Sequence, residues 1–265
     1  MNRRDFLLGL SAIGAGAALV RPSRALAAPK PVIEQRFRLV IDPGHGGENL
    51  GCRAYQAGPH EKQITLVLAQ SLAGRVVELM PHAEVLLTRE QDETLHLSQR
   101  TAFANACEAD LFLSLHCNAS PHADQTGFET FLLDVEASST DAALTAQREN
   151  DDGFARPRSA EADDDVSIML RELGMTEHRK RAGYFARAIQ REQAKRFPDR
   201  FDRGVRQARF DVLMGARMPA VLHEVGFLDH AHESELLLDE QGRAGIVEAL
   251  AQATASYFNE VVRRG

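Results

Sequence analysis

Short apolar runs alternate with longer helical patterns from Phe37 onward, and this alternation is the main structural signal in the chain. Apolar runs of strand length occur at 37–41, 84–87, 111–116, 127–133 and 220–224. Between them, apolar residues recur at helical spacing in 61–80, 97–107 and 242–262. Strands that alternate with helices are typical of a parallel sheet covered on both faces. The pattern predicts an α/β fold, a single three-layer αβα domain with a mostly parallel sheet of roughly six strands.

A segment of about residues 137–197 interrupts this alternation. Helix-forming residues and closely spaced acidic side chains fill it, and it separates two predicted strands that a few residues would connect. We therefore expect one helical insertion in an otherwise single domain. Within it, residues 138–141 can cap a helix that carries Ala142, Ala146 and Glu149 on one face. The periodicity alone favours a solvated, charged helix at this place.

The first 27 residues have the pattern of an export signal. Arg3 and Arg4 precede an uncharged run of 15 residues, and the small residues 25–27 resemble a cleavage site. The run is shorter than the ~20 apolar residues that span a bilayer. Because the segment resembles a twin-arginine signal, we expect a signal peptide at 1–27. The expected catalytic domain at 28–265 is then exported to the periplasm by the twin-arginine pathway, without a membrane span in the mature chain.

Composition and charge narrow the classes of function. With 44% apolar and 26% charged residues, the chain is neither disordered nor collagen-like. The net charge of -7 argues against a broad basic surface, so we expect no nucleic acid partner. Three cysteines are too few for a disulfide scaffold, and the fold must depend on a hydrophobic core.

Two histidines lie at the carboxyl ends of predicted strands. His45 follows the first strand among glycines, and His116 ends the third. Parallel strands end at one edge of a sheet, so the two imidazoles converge there and suggest a metal. Glu61, at the start of a predicted helix, completes a His2Glu set of the kind that holds catalytic zinc, although an acidic residue also stabilises a helix N-terminus. Glu224 ends an apolar strand, where a carboxylate is costly to bury without a use, and we expect it to be the general base.

These residues lie in motifs that resemble the zinc-dependent N-acetylmuramoyl-L-alanine amidases, the Amidase_3 family. The matching segments are 42–47 (DPGHGG), 61–62 (EK), 87–89 (LTR), 109–119 (ADLFLSLHCNA) and 224–228 (EVGFL), with Arg100, Ala104 and Asn105. The resemblance implies one zinc ion on His45, Glu61 and His116, and Glu224 as the catalytic acid/base. It implies as substrate the amide between N-acetylmuramic acid and L-alanine in peptidoglycan, cut during wall remodelling and daughter-cell separation.

The segment 144–150 also resembles the autoinhibitory helix of cell-division amidases. In such a helix, the glutamate before Asn150, which is Glu149 here, occupies the open zinc position. The resemblance implies that the insertion is regulatory and that a LytM-type activator protein displaces its helix. Asn118 and Arg89 are the expected substrate contacts.

Two further side chains lie beside the expected site in sequence. Strand alternation directs His223 away from Glu224 and Cys117 away from His116. We expect His223 in the core or behind the site, and Cys117 as a buried free thiol.

Three classes of function stay open at this point. The first is the wall amidase, and the second is another zinc hydrolase of similar architecture, such as a zinc carboxypeptidase. The third is a catalytically inactive wall-binding regulator. The joint presence of the three expected ligands and Glu224 disfavours this third class.

Overall fold

The computed structural model describes residues 36–120, 124–151 and 176–262. The strands there are β1 (Phe37–Pro43), β2 (Ala83–Leu87), β3 (Leu111–Asn118), β4 (Phe128–Leu133), β5 (Asp202–Ala208) and β6 (Ala220–Phe227). The α-helices are α1 (Glu61–Leu79), α2 (Leu97–Ala106), α3 (Thr140–Glu149), α4 (Thr176–Arg196), α5 (Ala231–Leu238) and α6 (Glu240–Tyr257). The expected signal peptide at 1–27 lies outside the described residues.

The six strands form one sheet in the order β2-β1-β3-β6-β4-β5. β2, β1, β3 and β6 are mutually parallel, so their carboxyl ends share one edge. β4 pairs antiparallel with β6 and parallel with β5, so β4 begins at that same edge. The chain passes from β1 to β2 on one side and then to β3 on the other. Ligand sites of open α/β sheets form at such a reversal, outside the carboxyl ends of the strands.

Helices cover both faces of the sheet and form two hydrophobic cores. One core joins the sheet to α1, α4 and α6 through residues such as Leu68, Leu72, Phe185, Ile189, Ile246 and Leu250. The other joins it to α2 and α3 through Ala104, Phe112, Phe131, Ala142, Ala146 and Leu222. This is the predicted three-layer αβα arrangement, and the prediction is confirmed. None of the helices within the described ranges combines the length and apolar character needed to cross a bilayer.

Helix α4 lies within the expected insertion at 137–197 and packs into the core of the domain. Phe185 and Ile189 of α4 are fully buried in the larger core, so α4 is a covering helix that connects β4 to β5. Its many basic residues lie mainly on the exposed face and hide the apolar stripe in the sequence. Residues 152–175, which fall within the expected insertion, lie outside the described ranges. Within the described part of 137–197, α3 and the residues next to it are the part added to the basic alternation of strands and helices.

Candidate metal centre

The turn after β1 carries His45 and is held by two buried arginines. His45 has a left-handed backbone conformation, with φ of 61°, which is uncommon for a residue other than glycine. Arg100 donates from Nη2 to the His45 carbonyl at 2.7 Å and from Nη1 to the Asp42 carboxylate at 2.8 Å. Arg89 donates from Nη2 to the Gly44 carbonyl at 2.9 Å. These hydrogen bonds hold the turn in its strained conformation.

Arg89, an expected substrate contact, is buried behind the turn that follows β1. Its side chain is 1% exposed, and its guanidinium donates to the main-chain carbonyls of Pro43, Gly44 and Lys62. Arg89 follows β2 closely, so its side chain enters the space between the β1 turn and α1. In this structure Arg89 shapes the turn that carries His45, and its role as a substrate contact stays a prediction.

Glu61 begins α1 and reaches both histidines. Its Oε1 atom lies 3.0 Å from His45 Nε2 and 3.2 Å from His116 Nδ1. The main-chain amide of Cys117 donates to Oε1 at 2.8 Å, and that of Cys52 donates to Oε2 at 3.0 Å. These two amides fix the carboxylate, because each donates to a different oxygen.

Two glycines allow the ligand side chains to approach the main chain. A Cβ atom at Gly44 would lie 2.4 Å from the imidazole of His116. A Cβ atom at Gly51 would lie 2.6 Å from Glu61 Oε2 and 2.7 Å from the ring of His45. Because carbon atoms cannot approach this closely, a larger residue at either position would displace the site.

Glu149 closes the cluster from α3. Its Oε2 atom lies 2.8 Å from His116 Nδ1 and 3.2 Å from His45 Nε2. One ligand atom from each of His45, Glu61, His116 and Glu149 lies within 4.8 Å of the others, and all four side chains are buried. Within the described residues, His45 Nε2, His116 Nδ1 and Glu149 Oε2 have no hydrogen-bond partner. Buried polar atoms without partners are rare, and convergent nitrogen and oxygen donors of this kind fit a zinc ion.

Asn49 sets the orientation of one imidazole. His45 Nδ1 lies 2.9 Å from Asn49 Oδ1, which also accepts from the Gly51 amide. An amide oxygen only accepts, so Nδ1 carries a proton and donates it to Asn49, which leaves Nε2 facing the cluster. Asn49 is not predictable from the sequence, since an asparagine in a glycine-rich turn has no signal that distinguishes it from a turn former.

Opposite charges determine the protonation of the two carboxylates. Burial disfavours their charged forms, but attraction to His45 outweighs it and holds the pKa of Glu61 at about 2. Attraction to His116 likewise outweighs burial and holds the pKa of Glu149 well below its usual range. Both side chains are therefore anionic at neutral pH, which is the form that binds a metal cation.

Glu224 lies on β6 beside this cluster. In the sheet register it is directly opposite His116, and its side chain is fully buried. Neither carboxylate oxygen has a hydrogen-bond partner among the described residues. Burial, followed by repulsion from the Glu149 carboxylate, raises the pKa of Glu224 well above its usual range. A carboxyl group with a raised pKa can accept and return a proton near neutral pH.

The carboxyl end of α3 is fastened to the end of β3. Arg148 donates from Nη1 to the Ala119 carbonyl at 2.7 Å and from Nη2 to Asn118 Oδ1 at 2.6 Å. It also donates from Nε to Glu149 Oε1 at 3.1 Å. Asn118, an expected substrate contact, is buried and engaged by this helix. Arg148 is not among the predicted site residues, although its position next to Glu149 is a usable signal.

His223 and Cys117 point away from the cluster, as strand alternation predicts. His223 is fully buried, and its Nδ1 atom lies 2.9 Å from Thr130 Oγ1. Burial lowers the pKa of His223 to about 3, so its ring is neutral. Cys117 is a buried free thiol. Both predictions are confirmed.

The fold and the site together define an α/β enzyme with a candidate metal centre at the carboxyl edge of its sheet. The sequence profile of the Amidase_3 family, described as N-acetylmuramoyl-L-alanine amidase, matches residues 39–256. The N-acetylmuramoyl-L-alanine amidase CwlM of Bacillus licheniformis is 31% identical over 222 residues, which are 84% of this chain and 69% of that protein. The N-acetylmuramoyl-L-alanine amidase AmiA of Escherichia coli is 30% identical over 256 residues, 96% of this chain and 87% of that protein.

A solved structure agrees with these relatives. The catalytic domain of CwlV, an N-acetylmuramoyl-L-alanine amidase from Bacillus (Paenibacillus) polymyxa, superimposes with a TM-score of 0.61 at 26% identity. The match covers 84% of this chain and 98% of that one. The chain belongs to the N-acetylmuramoyl-L-alanine amidase family and is an amidase of peptidoglycan. Of the three classes of function that the sequence left open, the wall amidase is the one supported.

Proposed function

We propose that this amidase uses one zinc ion held by His45, Glu61 and His116, and that helix α3 keeps it inactive. The observation that carries the proposal is the position of Glu149. Its Oε2 atom lies within 3.2 Å of a ligand nitrogen of each histidine. A catalytic zinc site keeps one position open for water and substrate. Glu149 therefore takes the place that catalysis needs.

The chemistry proposed is hydrolysis of the amide between N-acetylmuramic acid and L-alanine. A zinc ion at this site would polarise the scissile carbonyl and lower the pKa of water toward ~7. Glu224 takes a proton from the attacking water and returns it to the amine of L-alanine as that group leaves. Its raised pKa, caused by burial and the neighbouring carboxylates, suits both steps.

The regulation proposed is displacement of α3 by a LytM-type activator protein. The burial pattern of α3 supports this, because Ala142, Ala146 and Glu149 face the domain while Leu144 is 50% exposed. An activator can contact the exposed side without first opening the site. The helix is thus not the solvated one that periodicity alone favours.

The proposed setting is the periplasm, where the enzyme remodels the wall and separates daughter cells. The support is the sequence of residues 1–27, which resembles a twin-arginine signal. An exported enzyme that cuts the wall needs restraint until division, and α3 supplies a means of restraint.

The test compares full-length Glu149→Ala with the unaltered chain, both loaded with zinc and without an activator. Digested peptidoglycan is analysed by mass spectrometry. We expect Glu149→Ala to free intact stem peptides faster by about 10-fold or more, since a charge-assisted contact is lost. The matched control is Glu136→Ala, which removes an exposed carboxylate near α3 and leaves the rate unchanged.

Three results would contradict the proposal. Equal rates for Glu149→Ala and the unaltered chain would remove the autoinhibitory role. Release of terminal amino acids alone would indicate a carboxypeptidase. Adding Glu224→Gln to the Glu149→Ala variant should lower the rate by about 100- to 10,000-fold with zinc still bound, and retention of the rate would refute the role of Glu224.

A further inference from the structure

A buried carboxylate on β4 organises the surface beneath α3. Glu129 is 2% exposed and accepts from Asn118 Nδ2 at 2.6 Å. Its Oε2 atom also pairs with Arg203 Nε at 3.1 Å and with Arg206 Nε at 2.9 Å. Two guanidinium groups of β5 therefore share one carboxylate oxygen.

The remaining donors of these two arginines face α3. Arg206 donates from Nη1 to Ser139 Oγ at 3.1 Å. Arg203 Nη2 lies 3.6 Å from the Asp141 carboxylate and also donates to Gln125. The first turn of α3 thus presents a hydroxyl and a carboxylate to the arginine pair.

Departure of α3 would leave this surface with an excess of positive charge. Asp141 would leave with the helix, while Glu129 would remain as the carboxylate paired with both arginines. The two guanidinium groups would then share a single carboxylate, so the surface would favour a new carboxylate. Arg203 is also packed over the ring of Phe227, with 5.1 Å from its guanidinium carbon to the ring centroid, which limits its freedom to turn away.

The arginine pair lies close to the catalytic carboxylate. Glu129 is directly opposite Glu224 in the β4–β6 register, and Phe131 of β4 is paired with Arg206 of β5. Adjacent strands are about 4.8 Å apart, so β5 lies about 10 Å from β6. An extended peptide covers that distance in about three residues.

We propose that Arg203 and Arg206 bind a carboxylate of the stem peptide on the L-alanine side of the scissile amide. In the closed enzyme, α3 covers this subsite, and Asp141 stands where the substrate carboxylate binds. The inference rests on the proposed function, because it takes α3 to be the element that leaves. It adds a specificity determinant for an acidic peptide that is separate from the metal centre.

The test uses the zinc-loaded Glu149→Ala chain and two muramyl dipeptides that differ in one group. Both carry L-alanine followed by D-glutamate, with the α-carboxyl of the glutamate either free or converted to an amide. We expect a KM about 10-fold lower for the free acid, because a charge-assisted pair is stronger than a neutral hydrogen bond. Arg203→Gln and Arg206→Gln should abolish this preference by raising the KM of the acid alone.

Further variants separate recognition from folding. Arg203→Lys and Arg206→Lys keep the charge over Glu129 and should retain part of the preference. Arg187→Gln, which removes an exposed arginine on α4, should leave the preference unchanged. An unchanged preference in both glutamine variants would overturn the inference, as would equal KM values for the two dipeptides with the Glu149→Ala chain. A network that only anchors α3 would change both substrates equally.

Calorimetric binding of the free L-alanyl-D-glutamate product keeps the two proposals distinguishable. Binding that is stronger for the free acid than for the amide, and is lost in the glutamine variants, supports the subsite even if no substrate is cleaved. If such binding is seen and no substrate is cleaved, the proposed function is refuted while the subsite is retained. Binding that does not depend on the carboxylate or on the arginines overturns the subsite, whatever the enzyme cleaves.

Discussion

Asp42 and Arg100 illustrate how residues that do not touch the candidate ion can determine how well it binds. Asp42 is fully buried and accepts from Ser114 at 2.7 Å and from Arg100 at 2.8 Å. Arg100 in turn fixes the main chain of His45, because its other terminal nitrogen donates to the His45 carbonyl. Residues that support ligands in this way set the ligand geometry and hence the affinity.

We predict that Arg100→Lys lowers zinc affinity by about 10- to 100-fold. Lysine keeps a positive charge beside Asp42, but a single ammonium cannot also reach the His45 carbonyl in the fork geometry of arginine. The measurement is a zinc titration against a competing chelator. The control is Arg75→Lys, an arginine whose side chain is one-third exposed and pairs with Glu78 and Glu248 on the surface. Unchanged affinity in Arg100→Lys would show that the turn holds His45 without this support.

His223 makes the stability of the fold depend on pH. Burial lowers the pKa of His223 to about 3, against an ordinary value near 6.5 in the unfolded chain. As the pH falls below 6.5, the unfolded chain gains a proton at this residue and the folded chain does not. The stabilisation by the neutral ring is therefore complete above pH 6.5 and is lost progressively as the pH falls toward 3.

We predict that His223→Gln removes this contribution. Between pH 6.5 and pH 5, the unfolding free energy of the unaltered chain should fall by roughly 1.5 kcal/mol more than that of the variant. Glutamine can still bond to Thr130 and Gln193, the two partners of the ring, so the fold is retained. Denaturant titrations at both pH values give the difference, in which the other titrating groups cancel. Parallel pH dependences of the two chains would contradict the prediction.

At the scale of elements, α3 is a helix that depends on its surroundings. It has 10 residues, and an isolated helix of this length is marginal in water. Ser139 caps its first turn by accepting from the Ala142 amide at 3.1 Å. Its buried positions carry small residues, since Ala142 is fully buried and Ala146 nearly so. The backbone of α3 can therefore lie close to the sheet, which brings Glu149 into reach of the histidines.

We predict that Ala142→Leu activates the enzyme without changing any residue of the metal centre. Three extra carbon atoms in a filled space cost about 1–3 kcal/mol, and they would act against the docked position of α3. The rate at which stem peptides are released from peptidoglycan without an activator should rise by about 5- to 150-fold. Ala143→Leu is the matched control, because position 143 is exposed on the same helix. Equal rates for the two variants would show that packing of α3 does not govern access.

The sequence predicts those elements whose hydrophobic pattern is undisturbed by function. β1, β3 and β6 are buried along almost their whole length, and each is mostly apolar. The sequence pattern did not predict β5, because this strand carries Arg203 and Arg206. Both arginines pair with Glu129 on the neighbouring strand β4. A basic strand at the edge of a sheet lacks the apolar run by which the other strands were predicted. The short helix α5 was missed for the same lack of a long pattern.

The candidate ligands could be predicted because each of them lies in a short motif that is recognisable in the sequence. His45 and His116 each follow an apolar strand, and strands of a parallel sheet end together. Arg89 lies in an equally visible motif, but a motif does not tell whether a guanidinium turns outward or into the fold. The roles of Arg89 and Asn118 depend on contacts between distant segments, and the sequence pattern does not contain these.

At the scale of the whole molecule, the candidate metal centre connects elements that are far apart in the chain. Its side chains come from the turn after β1, the start of α1, the end of β3 and the end of α3. An ion bound there links both cores through the sheet edge. The unfolded chain cannot bring these residues together, so an ion would bind only the folded state. Its binding would therefore increase the free energy of unfolding.

We predict that removal of zinc lowers the melting temperature of the whole chain. Zinc at 100 times its dissociation constant stabilises the folded state by about 2.7 kcal/mol. For a chain of this size that corresponds to a shift of about 5–10 °C between zinc-loaded and chelator-treated protein. Glu61→Gln should lose most of the shift, because an amide is a much weaker ligand than the carboxylate that faces both histidines.

Glu224→Gln is the matched substitution, since it removes a buried carboxylate beside the site that is not among the four clustered ligand groups. The zinc-dependent shift should persist in this variant while activity is lost. Loss of the shift in Glu224→Gln would make Glu224 a ligand instead of the base. A full shift in Glu61→Gln would show that zinc is held without Glu61, by the remaining members of the cluster, His45, His116 and Glu149.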